Sequence, residues 1–200
     1  MTARDIILAA LSGDGTGSDA IAARAAGLVA TVERSAPASS LADAFAAALG
    51  KASVGASFEA VADASDVEDA IARYLVEYQL PTTVHPASPD LAWSQIAPAL
   101  DLAIDGGVVV AQAVAAVAET GTLVIDTGPD RPMLPHFLAL HHIVIVRASD
   151  LVARLEDIPE PVAIPRSRFW ITGVSGTTDI EGQYVRGAHG PRFLHVILVG

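Results

Sequence analysis

The sequence predicts an α/β fold, a mostly parallel sheet flanked by helices, preceded by a helical N-terminal segment. Three observations predict it. From residue 53 onward, short apolar runs rich in Val, Ile and Leu recur, as strands buried on both faces of a parallel sheet require. Segments of helical periodicity lie between several of them. Gly- and Pro-containing loops close the runs.

Residues 1–50 read as helical and residues 53–200 as the α/β domain. Arg4 to Leu11 is a short amphipathic helix or turn, broken by the loop Ser12-Gly13-Asp14-Gly15-Thr16-Gly17. That loop has no apolar strand before it and no Gly-Lys-Ser/Thr ending, so it reads as a linker and not as a phosphate cradle. Ser18 or Asp19 caps a helix through Val32, and Ser40 caps Leu41 to Leu49, which Gly50 ends. Ser53 to Ala62 is the first strand. Ser65 and Glu68 form a capping box opening the helix Asp66 to Tyr78, whose Val67, Ile71, Tyr74, Leu75 and Tyr78 share one face. Thr82 to Val84 is a strand ended by Pro86, Asp101 to Ile104 and Val108 to Val110 are apolar runs, and Ala111 to Ala118 reads as an Ala-rich helical turn. Strands follow at Thr122 to Asp126, Ile143 to Val146, Phe169 to Thr172 and Leu194 to Val199, with Ser149 or Asp150 capping a helix after the second of these.

Composition narrows the class of function. Hydrophobic residues make up 52% of the 200 and charged residues 18%, the reverse of a disordered chain. The most apolar stretch, Val108 to Val117, is about half the roughly 20 residues a spanning helix needs, and Glu119 closes it. With no signal-peptide pattern either, the reading is a cytoplasmic protein. A net charge of −11 without a basic cluster argues against nucleic acid as a partner. The absence of cysteine excludes Cys-held zinc, iron–sulfur clusters ligated by this chain and thiol catalysis. Lys51 is the one lysine and follows a helix end, where a solvated side chain is expected.

Three polar segments stand where a site can form. Glu119-Thr120-Gly121-Thr122 offers a carboxylate, two hydroxyls and a glycine at a reversal, enough to hold an anion or move a proton; taken by itself the segment reads first as a helix C-cap with Gly121 at its end. Gly173 to Glu181 interleaves Ser175, Gly176 and Thr177 with Gly173 and adds Asp179 and Glu181. Such a loop lets backbone amides approach a ligand closely, while the two carboxylates can share acid and base roles or simply begin a helix. Gly187-Ala188-His189-Gly190-Pro191 presents His189 in a turn. His141 and His142 read as satisfying strand or core hydrogen bonds, His195 as packing, and Trp93 and Trp170 as core or interface. If these segments form one site, it is expected in a cleft outside the carboxyl ends of the strands.

Residues 119–122 (ETGT), 142–146 (HIVIV), 173–191 (GVSGTTDIEGQYVRGAHGP) and 194–199 (LHVILV) resemble the LUD-domain family. The resemblance covers roughly residues 53–200, with Val174 and Ala139 standing where that family has Pro, and Ala188 where it has Val or Ile. It implies the fold of ribose-5-phosphate isomerase, glucosamine-6-phosphate deaminase and CoA transferases. It also implies a non-redox component of an L-lactate oxidation system, working with iron–sulfur partner proteins and carrying no assigned cofactor of its own. The alternative is a stand-alone enzyme or binding protein for an anionic small metabolite. In either case Glu119, Asp179, Glu181 and His189 are the expected catalytic groups, and Thr120, Gly121, Thr122, Ser175, Gly176 and Thr177 the expected binding groups, with no metal site assigned.

Overall fold

A computed structural model describes residues 18–29, 40–89, 91, 93–99, 101, 106–178, 184–187 and 190–200. The chain divides into two compact units, residues 1–36 and 37–200. Helix α1 (Ser18–Val29) is what is described of the first, and Ala20 to Gly27 within it are exposed. The expected helix Arg4 to Leu11 and the 12–17 loop lie outside the described residues.

The second unit is built on a six-stranded, wholly parallel sheet. Its spatial order is β1 (Ser57–Val61), β12 (Phe193–Val199), β7 (Ala139–Arg147), β4 (Gly106–Gln112), β2 (Thr83–Pro86) and β3 (Ala97–Pro98). The central strands are buried on both faces, which is why they read as unbroken Val/Ile/Leu runs. Alternation sorts their side chains. Ile143, Ile145, Ile197 and Val199 meet Ile71, Tyr74 and Leu75 of α3 (Val67–Glu77). Val144, Val146, Leu194, Val196 and Leu198 face the other way, toward Phe45 and Leu49 of α2 (Leu41–Leu49) and a second sheet.

Helix α2 has the expected ends: the Asp43 N–H donates to Ser40 Oγ at 3.1 Å, and Gly50 is the C-cap. The box expected at Ser65 and Glu68 is replaced. A 3₁₀ turn (Ala64–Asp66) leads into α3, and the Asp63 N–H donates to the Asp66 carboxylate at 3.2 Å. Glu68 turns across the molecule instead, accepting from Ser94 Oγ at 2.9 Å, the Ile96 N–H at 3.2 Å and the Gln95 N–H. The bond from the Gln95 N–H is the largest of the causes that hold the Glu68 carboxyl below its ordinary range.

The second sheet has the order β8 (Leu151–Val152), β5 (Ala115–Val117), β6 (Thr122–Thr127), β9 (Ser167–Ile171), antiparallel except where β5 meets β8. It overturns two local expectations. Ala111 to Ala118 is the end of β4 and then β5, not a helical turn. Ala113, Ala115, Ala116 and Ala118 are each at most 2% exposed between packed layers, so a tertiary fit for small side chains overrides the helix preference of alanine. The segment after Ile143 to Val146 turns through a 3₁₀ turn (Ala148–Asp150) into β8 and forms no helix there. A short antiparallel hairpin of β10 (Gly176–Thr178) and β11 (Tyr184–Arg186) completes the described elements. Among the described residues, no helix is long and apolar enough to cross a membrane.

Candidate functional site

A cavity of about 530 Å³ opens between β9, the short helix α4 (Pro135–Leu138) and the loop after β9. Proline at the first position of α4 fixes its start, and the four-residue helix splits its side chains. His136 is 3% exposed and turned inward, while Phe137 is 48% exposed at the rim. β7 begins immediately after α4, and alternation brings His142 to the same side as His136. His136 Nδ1 and His142 Nε2 lie 3.1 Å apart, so one ring donates N–H to the other. Burial, reinforced by His85, pushes His136 down to about 4. Burial, with His136 beside it, pushes His142 well below its ordinary value. Both imidazoles are therefore neutral at physiological pH.

The opposite wall is β9. Arg168 binds the Asp126 carboxylate across the β6–β9 pair at 2.7 and 2.9 Å, which pins the strand that carries Phe169, Trp170 and Ile171. Phe169 packs against His136 (centroids 5.2 Å, 71°) and Phe137 (5.4 Å, 44°). Trp170, expected in core or interface, is 54% exposed and lines the cavity.

The floor is the signature loop, held through its backbone. Gly173 has φ +98°, and a Cβ there would stand 2.5 Å from the Val54 carbonyl oxygen. The Val174 N–H donates to that same oxygen at 3.0 Å, and the Val174 side chain is buried in the core. Ser175 then joins two segments: its N–H donates to the Pro191 carbonyl at 2.8 Å and its carbonyl accepts from the Gly187 N–H at 3.0 Å. Gly190, at φ +86°, passes close enough that a Cβ would stand 3.3 Å from Ser175 Oγ.

These contacts bring the 173–175 loop and the 190–191 turn together at one cavity. Gly176 and Thr177 continue from it as the start of β10. Asp179, Glu181 and His189 lie outside the described residues. Residues 119–122 are the turn of the β5–β6 hairpin, not a helix C-cap, with Gly121 at φ +72° against Ala48 and Leu49. They reach the cavity only through hydroxyls. Thr120 Oγ1 and Thr122 Oγ1 are 2.7 Å apart, and Thr122 Oγ1 is 2.7 Å from Thr172 Oγ1 on the cavity wall. Glu119 is exposed and does not line the cavity.

The position within the sheet differs from expectation. His142 and Leu194 belong to the amino-terminal halves of β7 and β12, so the cavity is at the amino ends of the strands. The signature loop feeds into β12, whereas β9 before it belongs to the other sheet. At the carboxyl ends there is a smaller cavity of about 300 Å³, against Gln112, Arg147 and Val199, which no described residue of the 173–191 segment lines.

Sequence reasoning missed His136 and the aromatic wall. The available signal was a run of three histidines (His136, His141, His142) at the mouth of the most apolar strand. His141 and His195 have the packing roles expected on the α3 face. Tyr74 Oη is 2.9 Å from His141 Nδ1, and Ser57 Oγ is 2.8 Å from His195 Nδ1. Among the described residues, no group of three or more His, Asp or Glu is placed to hold a metal ion.

Residues 101–199 match the LUD domain family model. A Deinococcus radiodurans protein named lactate utilization protein C is 38% identical over 94 residues, 42% of this chain and 42% of that protein. A Geobacillus kaustophilus protein of the same name is 33% identical over 126 residues, 59% of this chain and 51% of that protein. The chain thus spans about half or less of these relatives. A crystal structure of a DUF162 family protein from Deinococcus radiodurans superposes with a TM-score of 0.57 at 22% identity, covering 82% of this chain and 100% of that one. The fold is shared with that structure.

Proposed function

The chain belongs to the LUD-domain family, whose model matches residues 101–199, and from that membership we propose that it serves lactate utilization as a non-redox component of a system oxidising L-lactate to pyruvate. One observation carries the reading. Every described residue lining the larger cavity, from His136 to Leu194, falls inside the stretch matched to the family, which supports reading the cavity as the site of the family's shared role. In this reading Ser175, Gly176 and Thr177 shape the ligand site. Proton transfer is assigned in this reading to Asp179, Glu181, His189 and Glu119, and the Thr120–Thr122–Thr172 hydroxyls connect the 120–122 turn to the cavity wall.

Electron transfer is assigned to iron–sulfur partner proteins, because a chain without cysteine has no thiolates with which to ligate a cluster. Cytoplasmic location belongs to the same reading. The alternative, a stand-alone enzyme for an anionic metabolite, gains nothing from the described cavity lining, which contains neither Lys nor Arg. Affinity purification of the tagged chain from lactate-grown cells is expected to recover a cluster-bearing protein, and deletion of its gene to abolish growth on L-lactate. Purification without such a partner, together with undiminished growth of the deletion strain, would overturn the proposal.

A further inference from the structure

The chemistry of the larger cavity selects its ligand, and lactate is a poor match. A cavity of about 530 Å³ is within the range that accommodates drug-sized molecules, so a three-carbon acid would leave most of it unfilled. A buried carboxylate needs a cation or several donors, and the described lining supplies no Lys or Arg. His136 and His142 share one N–H···N bond, which leaves a single N–H on the accepting ring, one neutral donor that suits a carbonyl oxygen and is too little for a buried carboxylate. What the walls do offer is aromatic surface: Phe137, Phe169 and Trp170 line one cavity, with Phe169 already in ring contact with Phe137 and His136. Flat rings are held by such surfaces through offset or edge-to-face contact. Polar groups are few and convergent: the histidine pair, the Thr172 hydroxyl and the Ser175 loop.

We infer that this cavity takes a neutral, planar ring bearing a hydrogen-bonding carbonyl oxygen at its edge, the chemical class of a quinone, with the ring against Phe169 and Trp170 and the oxygen toward the histidine pair or Thr172. The inference rests on reading the cavity as the working site and adds the class of its ligand.

The test uses the full chain and 2-methyl-1,4-naphthoquinone as probe. Trp170 reports on the site, and a Trp93→Phe background removes the other indole, which lies by the carboxyl-edge cavity. With no cysteine present, thiol addition to the quinone cannot mimic binding. Saturable quenching is expected in the micromolar range. It should be weakened about tenfold by Phe137→Ala, a rim substitution that leaves the core intact, and by Thr172→Val, while millimolar L-lactate or phosphate does not compete. Quenching that stays linear in probe, that is indifferent to both substitutions, or that lactate displaces would overturn the inference. Binding by purified protein and growth on lactate are separate readouts, so failure here leaves the proposed role in lactate utilization standing, and the converse also holds.

Discussion

Gly173→Ala is expected to destabilise the protein by about 3 kcal/mol or more and to lower Tm by roughly 6–12 °C. Two independent costs combine. The residue sits at φ +98°, a conformation open to glycine and strained for an L side chain, and the added methyl would lie 2.5 Å from the Val54 carbonyl oxygen and 2.8 Å from its Cα. All three of its nearest neighbours are backbone atoms, so no side-chain rotation can relieve the clash. Relief must come from moving the loop, which would break the Val174 N–H bond to Val54 and withdraw Val174 from the core. Gly128→Ala is the control, because nothing lies within 4 Å of its new methyl and its φ is not positive. It should change stability by no more than about 0.5 kcal/mol. Thermal melts of both variants check the contrast, and equal Tm values would contradict it.

Stability is expected to fall steeply on mild acidification. Burial pushes His136 and His195 down to about 4, so in the folded state both stay neutral well below the pH at which they protonate in the unfolded chain. The unfolded state then binds more protons, and stability falls as pH falls. Their contribution is fully present above about pH 6.5 and is lost progressively down to about pH 4. At pH 5 each imidazole accounts for a loss of about 2 kcal/mol, or about 4 kcal/mol for the two, against a typical total of roughly 5–15 kcal/mol. His142, which burial also pushes well below its ordinary value, adds in the same direction. The urea midpoint should therefore drop sharply between about pH 7.5 and pH 5. A midpoint unchanged over that interval would show that these rings are not buried as neutral groups.

What the sequence revealed, and what it concealed, follows from the range of each interaction. The α2 helix was readable to both caps, because Ser40 and Gly50 act on their own neighbours. The parallel sheet was readable because strands buried on both faces must be continuously apolar, as Ile143 to Val146 and Val196 to Val199 are. Ala111 to Ala118 misled because alanine favours a helix locally, while packing between two sheets demands small side chains at the same positions. Glu68 misled because its partners, Ser94, Gln95 and Ile96, lie about 26 residues away and left no local trace. The site divided along the same line. The signature loop announced itself by composition, whereas the His136–His142 pair exists only once α4 has turned back onto β7, and the aromatic wall only once Phe169 of the other sheet has packed against α4. The expectation of a carboxyl-edge cleft failed because it treats the sheet as single, and here a second sheet builds the cavity at the opposite edge.

This cavity, floored by the signature loop, is the proposed working site. Its most direct test pairs two readouts on Ser175→Ala: growth on L-lactate in a strain lacking the protein, and Tm of the purified variant. The loop is tied down by the backbone N–H and carbonyl of Ser175, which the substitution leaves in place. A stability change within about 1 kcal/mol is therefore expected. Growth on L-lactate is expected to be lost while Tm stays near native, with His189→Ala behaving alike. Full growth of Ser175→Ala at native Tm, or growth that declines only in step with Tm, would contradict it.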